Sequence, residues 1–265
     1  MVNADLRKKM LHNLWMNEIP LRDADNVVPL GKNEVYRGRV NVAGAGPSLF
    51  PEEDLRGIVL ANQSSAPFLA FKNVRVSHVV LVDPGSAVMK RLEFVLASPN
   101  TYTWIVSSFI DPVLLRRLIE RGDRIEVFAH TLHEDPDFNY EVLSSLPHWS
   151  QDILTVAQLG SVANASVALA SCGWPNCTEI FLSGLDFCWV PADIERVPSI
   201  VQTGEHEWKT YFEHEHGTRV RVLGKDTTPA LLQYMEQFTA LRQVIKQPLV
   251  ARRYLADLHG LTEAL

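Results

Sequence analysis

Apolar residues in this chain come in short bursts separated by polar, turn-rich or helix-compatible stretches. Val40 to Ala43, Gly57 to Ala61, His78 to Val82, Trp104 to Val106 and Ile125 to Phe128 have the length and composition of strands buried on both faces. Between the last two, Asp111-Pro112 opens a helix through Arg121, with Leu114, Leu115, Leu118 and Ile119 on one face and Gly122 just beyond its end. Leu6, Met10 and Leu14 recur at helical spacing ahead of Pro20, which predicts an amino-terminal helical attachment and linker over residues 1–37. Further on, Ser161 to Gly173 reads as a helix of small residues, Glu179 to Leu182 as a strand, and Arg219 to Leu223 as a last strand. Leu231, Leu232, Met235, Phe238, Leu241 and Ile245 mark an amphipathic closing helix, and a short helix is expected after Pro248, in residues 248–265. Residues 130–158, polar and aromatic, and the irregular residues 187–217 read as lid or loop insertions in a domain spanning 38–247.

Strands that alternate with helices pair in parallel, and right-handed crossovers place the helices on both faces of the sheet. The expected fold class is therefore α/β: a Rossmann-like, mostly parallel sheet with an amino-terminal helical attachment and a lid-like insertion. Ligands of such sheets sit at the carboxyl ends of the strands.

Composition narrows the function. With 265 residues, 46% of them hydrophobic, the chain can bury a sizeable core. A formal net charge of −6 and the lack of any Lys/Arg block argue against nucleic acid as a partner. No segment approaches the roughly 20 apolar residues of a membrane span, and Asp5, Arg7, Lys8 and Lys9 interrupt what would be a signal peptide, so the expected location is cytoplasmic. Cys172, Cys177 and Cys188 lack metal-ligand spacing and read as buried thiols.

The candidate chemistry lies where strands end. Val42-Ala43 runs into Gly44-Ala45-Gly46-Pro47-Ser48, a strand breaking into a glycine-rich turn whose N–H groups suit a phosphate. Leu49 stands where a dinucleotide fingerprint needs its third glycine, which disfavours NAD. Asn62, with Gln63 beside it, follows the second strand and offers an amide to a base or ribose, or merely caps a turn. Asp83 ends the third strand and would bond a ribose, hold Mg²⁺ or cap a helix. Gly160-Ser161 opens the small-residue helix, whose free N–H groups and positive dipole end suit an anion. His206, His214 and His216 crowd a loop with four glutamates. A general base is the favoured role for one of them and a metal site the disfavoured one.

The pairing of Val42-Ala43-Gly44-Ala45-Gly46-Pro47-Ser48-Leu49 with Gly160-Ser161-Val162-Ala163 and Ile180-Phe181-Leu182-Ser183-Gly184-Leu185-Asp186-Phe187 resembles the MptE-like family. That family includes archaeal 6-hydroxymethylpterin pyrophosphokinases and the central domain of the motor accessory factor proteins that glycosylate flagellin. The same segments are similar to bacterial sialyltransferases that use CMP-sialic acid. The resemblance covers Val40 to Asp83 and Leu159 to Gly217. It implies a nucleotide-phosphate turn at Gly44, Gly46, Pro47 and Ser48, and a cytidine contact at Asn62 with Gln63. It further implies a donor-phosphate loop at Ser161, a site-lining strand end from Ser183 through Gly184 and Asp186, and a histidine base, with His206 nearest in order. Ala45 stands where the sialyltransferases carry an asparagine, while alanine is usual in the MptE-like proteins. The pyrophosphokinases carry an acidic cluster after the third strand, and here only Asp83 is present, which favours glycosyl transfer over Mg·ATP chemistry.

The expectation is thus a transferase without a permanently bound cofactor. It would take a CMP-activated nonulosonate-type sugar as donor and a hydroxyl-bearing acceptor, with a homo-oligomer allowed. ATP-dependent pyrophosphoryl transfer to a hydroxymethylpterin and a non-catalytic nucleotide-binding module are the alternatives.

Overall fold

The computed structural model describes residues 4–46, 49, 55–132, 135–146, 153–157, 160–185, 199–204, 207–211, 220–222 and 225–251. In chain order the helices are α1 (Ala4–Asp23), α2 (Ala66–Phe71), α3 (Ala87–Arg91), α4 (Glu93–Ala97), α5 (Pro112–Arg121), α6 (Pro136–Ser144), α7 (Val162–Gly173) and α8 (Pro229–Val244). The strands are β1 (Val27–Pro29), β2 (Arg39–Ala43), β3 (Ile58–Asn62), β4 (His78–Leu81), β5 (Thr103–Ser107), β6 (Arg124–Thr131), β7 (Thr155–Ala157), β8 (Glu179–Ser183), β9 (Ser199–Gln202), β10 (Trp208–Tyr211), β11 (Val220–Val222), β12 (Lys225–Thr227) and β13 (Leu249–Ala251).

Nine strands form one sheet in the order β1-β6-β5-β4-β3-β2-β8-β13, with β7 also on β6, and every pairing in it is parallel. Neighbouring residues on each strand bury into opposite layers, as the two-residue side-chain period requires. Val79, Leu81, Trp104, Val106, Ile125 and Val127 join the layer under α1 to α6, whereas Val40, Val42, Leu60, Val80, Ile105 and Phe128 join the layer under α7 and α8. The α/β, Rossmann-like, parallel class with helices on both faces is the class expected.

Helix ends follow their sequence signals. The Asp111 carboxylate accepts from the Val113 and Leu114 N–H groups ahead of Pro112, and Gly122 stops α5 at φ 73°. Ser161 caps α7 and Thr228 caps α8.

Several expected boundaries move. Helix α1 runs through Pro20 to Asp23. The carbonyl that proline deprives of a donor belongs to Met16, which is solvent-exposed, while Leu21 beyond it is fully buried and holds the last turn. The supposed linker contains β1, an edge strand on β6. Within 130–158, His130 belongs to β6, Phe138 and Val142 of α6 are fully buried, and β7 pairs with β6, so the described residues of this stretch pack into the core and do not form a lid. Its polar residues dilute the apolar signal without removing the few side chains that pack. Residues 187–217 contain an antiparallel pair, β9 and β10. The strand expected at 219–223 appears as β11, paired with β12 off the main sheet. The residues after Pro248 begin as β13 rather than a helix. They cover the open edge of β8, and the Pro248 carbonyl accepts from the Ile180 N–H at 2.9 Å. Residues 252–265 lie outside the described residues.

Candidate functional site

Strand order reverses between β2 and β8: from β2 the chain builds outward through β3 to β6, then returns to add β8 on the other side. Two loops leave neighbouring strands at this switch point, and a crevice opens between them. The loops touch through glycines. The Gly44 N–H donates to the Ser183 carbonyl and the Gly46 N–H to the Gly184 carbonyl, both at 2.8 Å. Gly184 has φ 69°, and a Cβ on it would stand 2.6 Å from the Gly44 carbonyl oxygen. The two N–H groups that the sequence offers to a phosphate are therefore occupied by β8, because the parallel ladder continues past the strand ends. Among the described residues the Ala45 N–H keeps no such partner.

Asn62 takes one of its two expected roles, that of capping a turn. Its Oδ1 accepts from the Ser64 and Ser65 N–H groups at 2.9 Å, the turn-capping role, and Ser65 Oγ donates to the Ala43 carbonyl at 2.6 Å, tying this turn to β2. The Nδ2 of Asn62 remains a donor without a partner among the described residues. Gln63 beside it is buried with Oε1 unpaired. Asp83 caps its own turn, Oδ1 accepting from the Gly85 N–H at 2.7 Å.

On the opposite wall, Ser161 Oγ accepts from the Asn164 N–H at 3.1 Å, leaving the Val162 and Ala163 N–H groups of α7 directed outward from its first turn. Asn164 Nδ2 donates to the Tyr234 carbonyl at 2.8 Å and braces α7 against α8. Gly160 has φ 70°, and a Cβ there would run into the Gln237 side chain.

One cleft of about 440 Å³ joins these groups: Ala45, Gly46, Asn62, Gln63, Asp83, Gly160, Ser161 and Gly184 all line it. Gly44 sits behind it as the contact between the loops. Pro47, Ser48, Asp186, His206, His214 and His216 lie outside the described residues, as does Cys188. Cys177 is a buried free thiol, whereas Cys172 is exposed. Among the described residues no cluster of three or more His, Cys, Asp or Glu side chains is placed to hold a metal ion. Within those residues no helix is long and apolar enough to cross a membrane.

Sequence reasoning missed the far end of the cleft, lined by Leu6, Met10, Pro84, Arg91, Phe109 and His130. His130 carried a usable signal. It follows Val127-Phe128-Ala129 at the carboxyl end of a buried parallel strand, where ligands of such sheets lie. Burial pushes its pKa down to about 4.

The fold and its crevice thus define a doubly wound α/β protein with a parallel main sheet and its cleft at the switch point. No protein-family model and no curated protein sequence matches the chain. Among solved structures it is similar to a MAf glycosyltransferase from Magnetospirillum magneticum AMB-1, at 14% sequence identity and a TM-score of 0.57. The match covers 98% of this chain and 42% of that one. The chain therefore spans less than half the length of its structural neighbour, and the likeness is one of fold.

Proposed function

We propose that the protein is a nucleotide-dependent glycosyltransferase that takes a CMP-activated nonulosonate-type sugar. The single observation that carries this reading is the convergence of the β2 loop, the β3 turn and the α7 amino terminus on one cleft at the switch point. The phosphate of CMP lies against the Val162 and Ala163 N–H groups and that of Ala45, where the helix dipole favours negative charge. Asn62 Nδ2 and the Gln63 amide face the cytidine. The glycosyltransferase named for the structural neighbour adds support at the level of fold.

In the reaction, the bond from the anomeric carbon to the phosphate oxygen breaks as a bond to the acceptor oxygen forms. CMP leaves, and the acceptor proton passes to a histidine among His206, His214 and His216. The helix amides stabilise charge growing on the departing phosphate, and the cleft supplies orientation. Asp83 is the one carboxylate among the described residues lining the cleft, a poor match to Mg·ATP.

Calorimetric titration with CMP, ATP and NAD is the test. CMP is expected to bind without added metal while NAD stays silent. ATP binding that requires Mg²⁺, with CMP silent, replaces this reading by pyrophosphoryl transfer.

A further inference from the structure

Past the nucleotide groups the cleft continues across the carboxyl ends of β4, β5 and β6. From β8 to β6 there are five strand intervals, roughly 24 Å of sheet edge. Buried polar atoms without partners collect at this far end. His130 is 2% exposed and lines the cleft, yet neither Nδ1 nor Nε2 has a hydrogen bond. Its ring is stacked on Phe109, with centroids 5.1 Å apart and planes 19° apart, so it cannot turn away without losing that packing. The hydroxyls of Ser107 and Ser108, at the end of neighbouring β5, are also buried and unpartnered. An unmatched buried polar group is costly, and native structures leave few of them unless something else completes the set. Arg91, half-buried at the end of α3, lines the same cleft with no ion-pair partner among the described residues. Asp83 Oδ2 is likewise without a partner there.

We propose that this end of the cleft is a second subsite, which binds a polyhydroxylated organic anion: His130 hydrogen-bonds one hydroxyl, Asp83 a second, and Arg91 holds the negative charge. Phe109, Met10 and Leu6 cover its carbon skeleton. On the glycosyl-transfer reading above, on which this assignment of role rests, the ligand is the acceptor. The His130 ring is kept neutral by burial, so it presents one N–H donor and one bare nitrogen, the complement of a hydroxyl. The same environment makes it a weak base near neutrality, so it orients the hydroxyl and leaves proton removal to another group.

Glycerol 3-phosphate is a small probe with all three features. It is titrated into the full chain alone and in the presence of saturating CMP, with the ring signals of isotope-labelled histidine followed by NMR. The expected result is binding with and without CMP at similar affinity, and a shift of one histidine ring that is absent from His130→Gln. His130→Gln and Arg91→Met should each weaken the probe about tenfold, or about 1.4 kcal/mol, while CMP affinity stays within about twofold. Arg91 is not a core residue, so its variant tests the subsite even if His130→Gln folds poorly. Displacement of the probe by CMP, unchanged binding to both variants, or no binding at millimolar probe overturns the subsite. If CMP does not bind but the probe behaves as described, the nucleotide reading fails and the subsite stands.

Discussion

Gly44 and Gly184 meet backbone to backbone, each filling the space where the other would carry a side chain. A Cβ on Gly44 would overlap the Gly184 carbonyl oxygen, and one on Gly184 would sit 2.6 Å from the Gly44 carbonyl oxygen in a left-handed conformation. This contact lets the β2 and β8 loops share one crevice, so its loss should damage stability and binding together. Gly44→Ala and Gly184→Ala are each expected to cost on the order of 3 kcal/mol in urea unfolding. The double variant should cost less than the sum, because the first Cβ already parts the loops. Additive losses would show that the two glycines act separately.

The strands and most helices were legible because their signals are local. Val79, Trp104 and Val127 sit in continuous apolar runs, Asp111 and Ser161 open helices through side-chain caps that need no distant partner, and Gly122 ends one in a left-handed conformation. The convergence of the Gly44 and Gly160 segments followed from the rule that parallel sheets bind ligands at their carboxyl ends. Three things were not legible. That the Gly44 and Gly46 N–H groups serve β8 depends on which strand lies next to β2, and spacing along the chain does not show this. Phe138 and Val142 are too few to mark α6 as core inside a polar stretch. His130 appears in sequence as a lone histidine, and its significance comes from burial without a hydrogen bond, which only packing reveals.

Asn13 joins α1 to the cleft walls. Its Nδ2 donates to the Pro84 carbonyl at 3.0 Å and to the Phe109 carbonyl at 3.1 Å, while Asn17 Nδ2 donates to the Ser108 and Ile110 carbonyls. One helix thereby fixes the β4 and β5 loops that carry Asp83 and Phe109. Asn13→Ala should lower stability by about 1–3 kcal/mol, and Asn13→Asp by more, since a carboxylate cannot donate to two buried carbonyls. Unfolding midpoints measure both. An Asn13→Asp variant as stable as the wild type would mean that α1 is an appendage after all.

Ser161 and Thr228 cap α7 and α8 in the same way, but only Ser161 borders the cleft. Replacing either with alanine should cost about 1 kcal/mol of stability. CMP affinity should fall several-fold for Ser161→Ala, because the first turn that presents the anion-binding N–H groups loosens, and should hold for Thr228→Ala. Equal effects on CMP from the two variants would remove the α7 terminus from the phosphate site.

His130 also makes stability depend on pH. In the unfolded chain its imidazole takes up a proton near pH 6.5, whereas in the folded protein burial delays this to about pH 4. Between those values the unfolded state binds more protons, so acid favours unfolding and stability falls as pH falls. The effect is absent above about pH 7 and reaches about 3 kcal/mol by pH 4. His78, whose pKa burial also lowers, adds in the same direction. Urea unfolding of wild type and His130→Gln from pH 7.5 to 4.5 isolates the His130 share as a difference in slope. The wild type should lose stability more steeply than the variant below pH 6.5, and parallel profiles would show that the ring accepts a proton in the folded state as readily as in water. A bound anion near Arg91 should raise the His130 pKa and flatten the wild-type profile, so repeating the series with glycerol 3-phosphate asks whether the ring and the subsite are one unit.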